Sequence, residues 1–303
     1  MTDGILVVDK PSGITSHQVV ARARRALGIK KIGHAGTLDP MATGVLVLGV
    51  GRGTRLLGHL ALTAKEYTAT VRLGQQTNTD DAEGEIIDAQ GSQLSQVGSR
   101  LQATLSAFIG TIQQVPSAVS AIKIDGKRAY ARVRAGEAVE LPAREVTITR
   151  LALSDLREEI TASGLTVVDV DLVVACSSGT YVRALARDLG RTLGVGGHLT
   201  RLRRAAVGPF TLAEVAWDAD LGELEPGERL SLPVTDLGTV ARRSFPVIEV
   251  GDDVARDVGY GRPIALEVPA DPTGVLHRER LLALYRPGGS GVAVPVAVLV
   301  PHG

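Results

Sequence analysis

The chain has 303 residues, enough for a large core and more than one domain. Its content of 44% hydrophobic and 22% charged residues is that of an ordinary globular protein and excludes disordered and collagen-like classes. A single cysteine, Cys176, rules out an intrachain disulfide framework and suits a reducing compartment. The N-terminus has no basic segment followed by an apolar run, and no stretch approaches the ~18 apolar residues needed to span a membrane. A cytoplasmic protein is expected.

Basic and acidic residues balance at 33 each, but unevenly along the chain. Residues 1–60 carry eight basic against three acidic side chains, residues 100–150 eight against four, and residues 211–303 eight against fourteen. The cations gather in three runs: Arg22, Arg24, Arg25, Lys30 and Lys31; Lys123, Lys127, Arg128, Arg132 and Arg134; Arg201, Arg203 and Arg204. A solvated face explains any one of them. Together they form a phosphate-tracking surface if the fold collects them.

In chain order, Ile5–Asp9 is predicted as a strand ending in the turn Lys10-Pro11-Ser12-Gly13. Thr15 and Gln18 have capping-box spacing and open a helix with Val19, Ala23, Ala26 and Leu27 as its apolar stripe and Gly28 as its C-cap. Residues 30–43 are expected as loop, followed by a buried strand over Val45–Val50. Tyr67–Leu73 alternates as a strand, and Thr77–Glu85 is an acidic loop. Leu94, Val97, Leu101, Leu105 and Phe108 predict an amphipathic helix. Residues 114–143 have weak periodicity and many cations and are expected to be an exposed insertion. Leu165–Ala175 is a strand; Ser177–Thr180 leads into a helix with Val182, Leu185, Leu189 and Leu193 inward. Residues 211–244 form an acidic, partly helical connector. Beyond Phe245, short β runs at Val247–Val250, Leu281–Tyr285 and Val292–Leu299 predict a small separate β module. Strands alternating with helices and followed by a β-rich tail make the fold class α+β or α/β.

The densest chemical signal is His34-Ala35-Gly36-Thr37-Leu38-Asp39-Pro40-Met41-Ala42-Thr43-Gly44. Pro40 disfavours the α region at Asp39, and the flanking glycines relax steric limits, so the loop can hold a carboxylate at the edge of a sheet. On the residues alone, a turn aspartate bonding its own backbone explains the string as well. The other histidines are scattered without metal-ligand spacing, and neither the Gly49–Gly53 run nor any other segment meets a nucleotide-loop pattern.

Several strings decide between these readings. GTLDPMATGVL resembles the catalytic motif of the bacterial tRNA pseudouridine-55 synthases, the TruB family. Lys10-Pro11-Ser12-Gly13-Ile14-Thr15-Ser16 resembles that family's KPxGxTS segment. Lys65-Glu66-Tyr67 with Arg72-Leu73-Gly74, Cys176–Arg183 with Asp188-Leu189-Gly190, and Leu202-Arg203-Arg204 are similar to its later motifs. They stand in family order over roughly residues 4–210.

The resemblance implies an α+β pseudouridine-synthase core, a mixed and mainly antiparallel sheet with flanking helices, over residues 1–240. The RNA-gripping insertion would be at about 114–143, and a small β-rich PUA-like domain at 245–303. It implies a stand-alone, guide-independent isomerase that converts uridine 55 in the T-loop of tRNA to pseudouridine after flipping the base. It needs no cofactor and no metal, and works as a monomer on the T-arm stem-loop. Asp39 becomes the catalytic carboxylate: it adds covalently to the ring or sugar, or acts as base at C2′, while the N1–C1′ bond is exchanged for C5–C1′. Arg183 becomes its counter-ion. Tyr67 stacks on the uracil, Tyr181 and Leu202 complete the pocket, and His34 takes the place of the displaced base. Lys10, Arg55, Lys123, Lys127, Arg128, Arg203 and Arg204 are expected near the loop or at RNA phosphates. A tRNA-folding chaperone using the same surface without required chemistry is the alternative.

Overall fold

The computed structural model describes residues 3–117, 123–124, 127–128, 141–218 and 229–300. They form two compact units: residues 1–40, 44–63 and 206–303, and residues 41–43 and 64–205.

The first unit is organised around β1 (Gly4–Lys10) and β3 (Thr43–Val50), which pair antiparallel from Gly4–Val50 to Lys10–Gly44. β2 (Ile32–Ala35) adds antiparallel to β3, while β14 (Trp217–Asp218) runs parallel and β15 (Thr235–Asp236) antiparallel to β1. The sheet is therefore mixed but mainly antiparallel. Alternate side chains leave its two faces. Leu6, Val8, Leu46, Leu48 and Val50 pack with Val19, Val20, Ala23 and Ala26 of helix α1 (Ser16–Leu27). Ile5, Val7, Val45 and Val47 pack with Leu276, Leu281, Leu284 and Leu299 of the C-terminal region.

Helix α1 has the ends the sequence predicts. Thr15 and Gln18 form the capping box, and Gly28 closes the helix in the left-handed conformation with φ +66°. Residues 32–35, expected as loop, are instead strand β2. Two glycines in the seven residues from Lys30 to Gly36 hide a strand whose partner, β3, supplies its hydrogen bonds.

The C-terminal region forms its own four-stranded sheet, β16 (Val247–Glu249), β17 (Thr273–His277), β18 (Arg280–Gly289) and β19 (Val292–Val298), in that order. Helix α6 (Asp252–Gly259) contributes Val258 to a core with Val275, Leu282, Ala283, Tyr285 and Ala293. The opposite set, Leu276, Leu281 and Leu284, belongs to the core it shares with β1 and β3. The single helical turn α2 (Leu57–Leu60) and helix α5 (Leu237–Ser244) supply Leu60, Val240 and Ala241 to that shared core.

The second unit is an antiparallel sheet with the order β12-β4-β11-β10-β7. Its strands are β4 (Lys65–Leu73), β7 (Gly110–Gln114), β10 (Arg144–Ile160), β11 (Thr166–Cys176) and β12 (Gly197–Val207). Helices α3 (Leu94–Ala107) and α4 (Val182–Leu193) belong to the same unit, and α4 buries Val182, Leu185, Leu189 and Leu193 as its periodicity predicts. Residues 118–122, 125–126 and 129–140 of the expected insertion lie outside the described residues; its described ends, Gln114, Ser117 and Leu141, are buried. Among the described residues no helix is long and apolar enough to cross a membrane.

Candidate active site

Asp39, His34, Lys10 and Arg55 belong to the first unit. Asp39 is half-buried between β2 and β3, directly after Leu38, whose side chain is buried and anchors the loop. Gly36, with φ +75°, makes the turn out of β2 that a side chain would strain. The Pro40 carbonyl accepts from the backbone N–H of Gly13 at 2.9 Å and from Lys10 Nζ at 3.0 Å. Lys10 Nζ also donates to the carbonyls of Ile14 and Pro11 at 2.7 and 2.8 Å. Lys10 is fully buried, so it is a strut under the Asp39 loop and not a phosphate contact. A buried ammonium needs such oxygen partners to offset its lost hydration. His34 lies half-buried on β2 with the ring of His17 edge-on to it, 5.2 Å between centroids and 83° between planes. Arg55 ends the 3-10 turn Gly51–Arg55 and is exposed.

Tyr67, Tyr181, Arg183, Leu202, Arg203 and Arg204 belong to the second unit. Tyr67 is buried on β4 opposite Val174 of β11, and Leu202 is buried on β12, the strand beside β4. Tyr181 precedes α4 and is pinned by a buried amide. Its N–H donates to Gln114 Oε1 at 2.8 Å, and Gln114 Nε2 donates to its carbonyl at 3.0 Å.

Arg183, only 5% exposed, is held by charge. Its Nη1 lies 3.3 Å from Asp81 Oδ2 and donates to the Thr79 carbonyl at 3.2 Å. Asp81 is itself oriented by the Thr79 hydroxyl at 2.6 Å and the Glu83 N–H at 3.1 Å. The preceding residue, Asp80, accepts from Ser117 Oγ at 2.6 Å and Arg187 Nη1 at 3.0 Å. Burial pushes the Asp80 carboxyl above its ordinary range, against the pull of Ser117 and Arg187.

Sequence reasoning read residues 77–85 as an acidic loop and so missed both buried aspartates. The one available signal was Asp80-Asp81 followed by a glycine-bearing turn, which does not distinguish buried acids from solvated ones. It also missed Gln114.

The Arg201–Arg204 run alternates along β12. Arg201 is exposed, Arg203 is half-buried with Nη1 3.4 Å from Thr43 Oγ1, and Arg204 is 1% exposed. Arg204 is accordingly not a surface phosphate ligand, because strand pleating turns it to the interior. Its charge, after burial, contributes to lowering the Lys65 ammonium to about 8. Lys123 and Lys127-Arg128 form the two-stranded pairing of β8 (Lys123–Ile124) with β9 (Lys127–Arg128); their side chains lie outside the described residues.

Residues 24–182 match the model of the TruB family pseudouridylate synthase N-terminal domain, and residues 183–224 that of the tRNA pseudouridylate synthase B C-terminal domain. The chain is 48% identical to tRNA pseudouridine synthase B of Arthrobacter sp. (strain FB24) over 99% of its own length and 98% of that protein's. The chain belongs to the TruB family. A second TruB relative, tRNA pseudouridine synthase B of Cutibacterium acnes, is 51% identical over 99% of both chains. The TruB fold also extends to a chain in the structure of an H/ACA RNP bound to a substrate RNA containing 2'-deoxyuridine. That chain has 22% identity and a TM-score of 0.70, covering 99% of this chain and 86% of that one. This last likeness is one of fold.

Proposed function

We propose that this chain is a stand-alone tRNA pseudouridine synthase that isomerises uridine 55 of the T-loop, with Asp39 as the essential carboxylate. The observation that carries the reading is an aspartate in the family motif whose following carbonyl is fixed by a buried lysine and a backbone N–H. Fixed placement of a reacting group is what exchange of one glycosidic bond for another demands.

Arg183, oriented by Asp81, is assigned to substrate binding by the family motif. Tyr67 and Leu202 supply apolar surface for the uracil, Tyr181 borders the pocket, and His34 occupies the gap left in the RNA stack. Arg55, Arg203, Lys123, Lys127 and Arg128 remain the proposed phosphate contacts. Every proposed pocket residue lies between His34 and Leu202, so the chemistry is assigned to residues 1–240 and an auxiliary PUA-like role to 245–303. The protein acts as a cytoplasmic monomer on the T-arm stem-loop, without a cofactor.

Asp39→Asn tests the core of this reading. Single-turnover pseudouridine formation in a tRNA transcript should fall by about 10²–10⁴-fold or more, with tRNA affinity within a few-fold of wild type. Substantial product from that variant would remove Asp39 as the catalytic group and favour an RNA-folding role on the same surface.

A further inference from the structure

Ser16 is the first residue of helix α1 and is fully buried. A serine in a first helical turn ordinarily bonds a free N–H of its own helix. Here Thr15 already performs that task through the capping box, which leaves the Ser16 hydroxyl available for another segment. It is bonded twice to one residue 22 positions on: it accepts from the Leu38 N–H at 2.9 Å and donates to the Leu38 carbonyl at 3.2 Å.

Leu38 immediately precedes Asp39. Its carbonyl belongs to the peptide plane that also carries the Asp39 N–H, so the serine fixes the backbone on the N-terminal side of the aspartate. Lys10 Nζ and the Gly13 N–H fix the carbonyl of Pro40 on the other side. Asp39 is suspended between two held peptide units, and its side chain keeps little freedom beyond its own rotamers.

We infer that Ser16 is a positioning residue for Asp39, setting the placement of the carboxylate and not the affinity for RNA. The inference rests on the reading of Asp39 as the catalytic group. A misplacement of about 1 Å costs on the order of 10²-fold in rate. Loss of the hydroxyl therefore lowers the chemical step while the RNA-binding surface stays as it was.

The test compares full-length wild type, Ser16→Ala, Ser16→Cys and Asp39→Asn by single-turnover pseudouridine formation at saturating tRNA, tRNA binding and thermal unfolding. Ser16→Ala is expected to slow the chemical step by about 10–100-fold with the dissociation constant within two-fold. Ser16→Cys is somewhat larger and offers a weak hydrogen-bonding group; it should show the same split and carries the test if the alanine variant does not fold. A folded Ser16 variant with the wild-type rate would overturn the inference. So would a rate loss matched by an equal loss of tRNA affinity. An inactive Asp39→Asn beside a wild-type Ser16→Ala would remove this inference alone, whereas an active Asp39→Asn would remove the reading beneath it.

Discussion

Around Asp39 the fixing bonds end on backbone: the Leu38 amide and carbonyl and the Pro40 carbonyl, reached from Ser16, Gly13 and Lys10. Around Arg183 the Thr79 carbonyl is one partner, and the other bonds run between charges, with Asp81, Asp80, Arg187 and Asp188 linked through α4 and the Thr77–Glu85 loop. Of the groups that hold this loop, the Ser16 hydroxyl, the Gly13 N–H and the bonded carbonyls do not titrate, and the buried Lys10 ammonium is the one charged member. A guanidinium held by a buried carboxylate is exact in direction but exposes the fold to a large penalty when its partner is lost. Two proposed site residues are thus placed by different physics in one protein, each with its own characteristic failure.

The largest expected effect comes from breaking the charged arrangement. Asp81→Asn keeps the shape of the side chain and removes its charge from the buried pair with Arg183. Loss of one partner from a buried ion pair costs about 3–5 kcal/mol, so chemical denaturation should show destabilisation of that order together with slowed pseudouridine formation. The side chains of the pair are 6% and 3% exposed, so added salt should not restore what is lost. A variant as stable and as fast as wild type would show that the Arg183–Asp81 bond holds nothing in place.

Lys65 sharpens the same contrast through pH. Burial first, then the Arg204 charge, lowers its ammonium from 10.5 to about 8, while Cys176 opposes the shift. The native pKa lies below the unfolded one, so between about 8 and 10.5 the unfolded chain binds more protons and stability rises with pH. Below pH 8 both states are protonated and the full cost, about 3 kcal/mol at 1.36 kcal/mol per unit, is borne. Lys65→Met should abolish the rise. Denaturation of the two proteins at pH 7.5 and 10 measures it, and parallel stability curves would show that Lys65 is not desolvated in the folded state.

The sequence displays elements wherever one period dominates. The capping box at Thr15 and Gln18, the Val45–Val50 strand and the α4 stripe from Val182 to Leu193 are all present. Strand β10 escaped prediction because register shifts at Ile148/Arg150 and Leu153/Asp155 break its alternation. β2 escaped because four residues containing a glycine carry no pattern until β3 is beside them. For the site, the motif names Asp39, Arg183, Tyr67 and Leu202, but their scaffolding is illegible. The charge of Lys10, Arg204, Asp80 and Asp81 suggests solvent, and only tertiary partners turn these residues inward.

The smallest expected effect belongs to Thr15, and it separates the helix from its serine. The Thr15 hydroxyl accepts from the Gln18 N–H at 3.2 Å, and the Thr15 N–H donates to Gln18 Oε1 at 2.7 Å. Thr15→Ala removes the first bond and the hydroxyl's own donation to Gln18 Oε1 at 2.9 Å, and leaves the backbone one, costing about 1 kcal/mol of stability for a lost N-cap. Ser16 remains buried and bonded to Leu38, so on the proposed role of Ser16 the single-turnover rate should stay within about two-fold of wild type once the protein is folded. The two neighbours should therefore separate: Thr15→Ala lowers the unfolding midpoint with the rate preserved, while Ser16→Ala lowers the rate. Denaturation midpoints and single-turnover rates for both variants make the comparison. Equal rate losses would make the seating of helix α1 as a whole, and not the Ser16 hydroxyl, the device that positions Asp39.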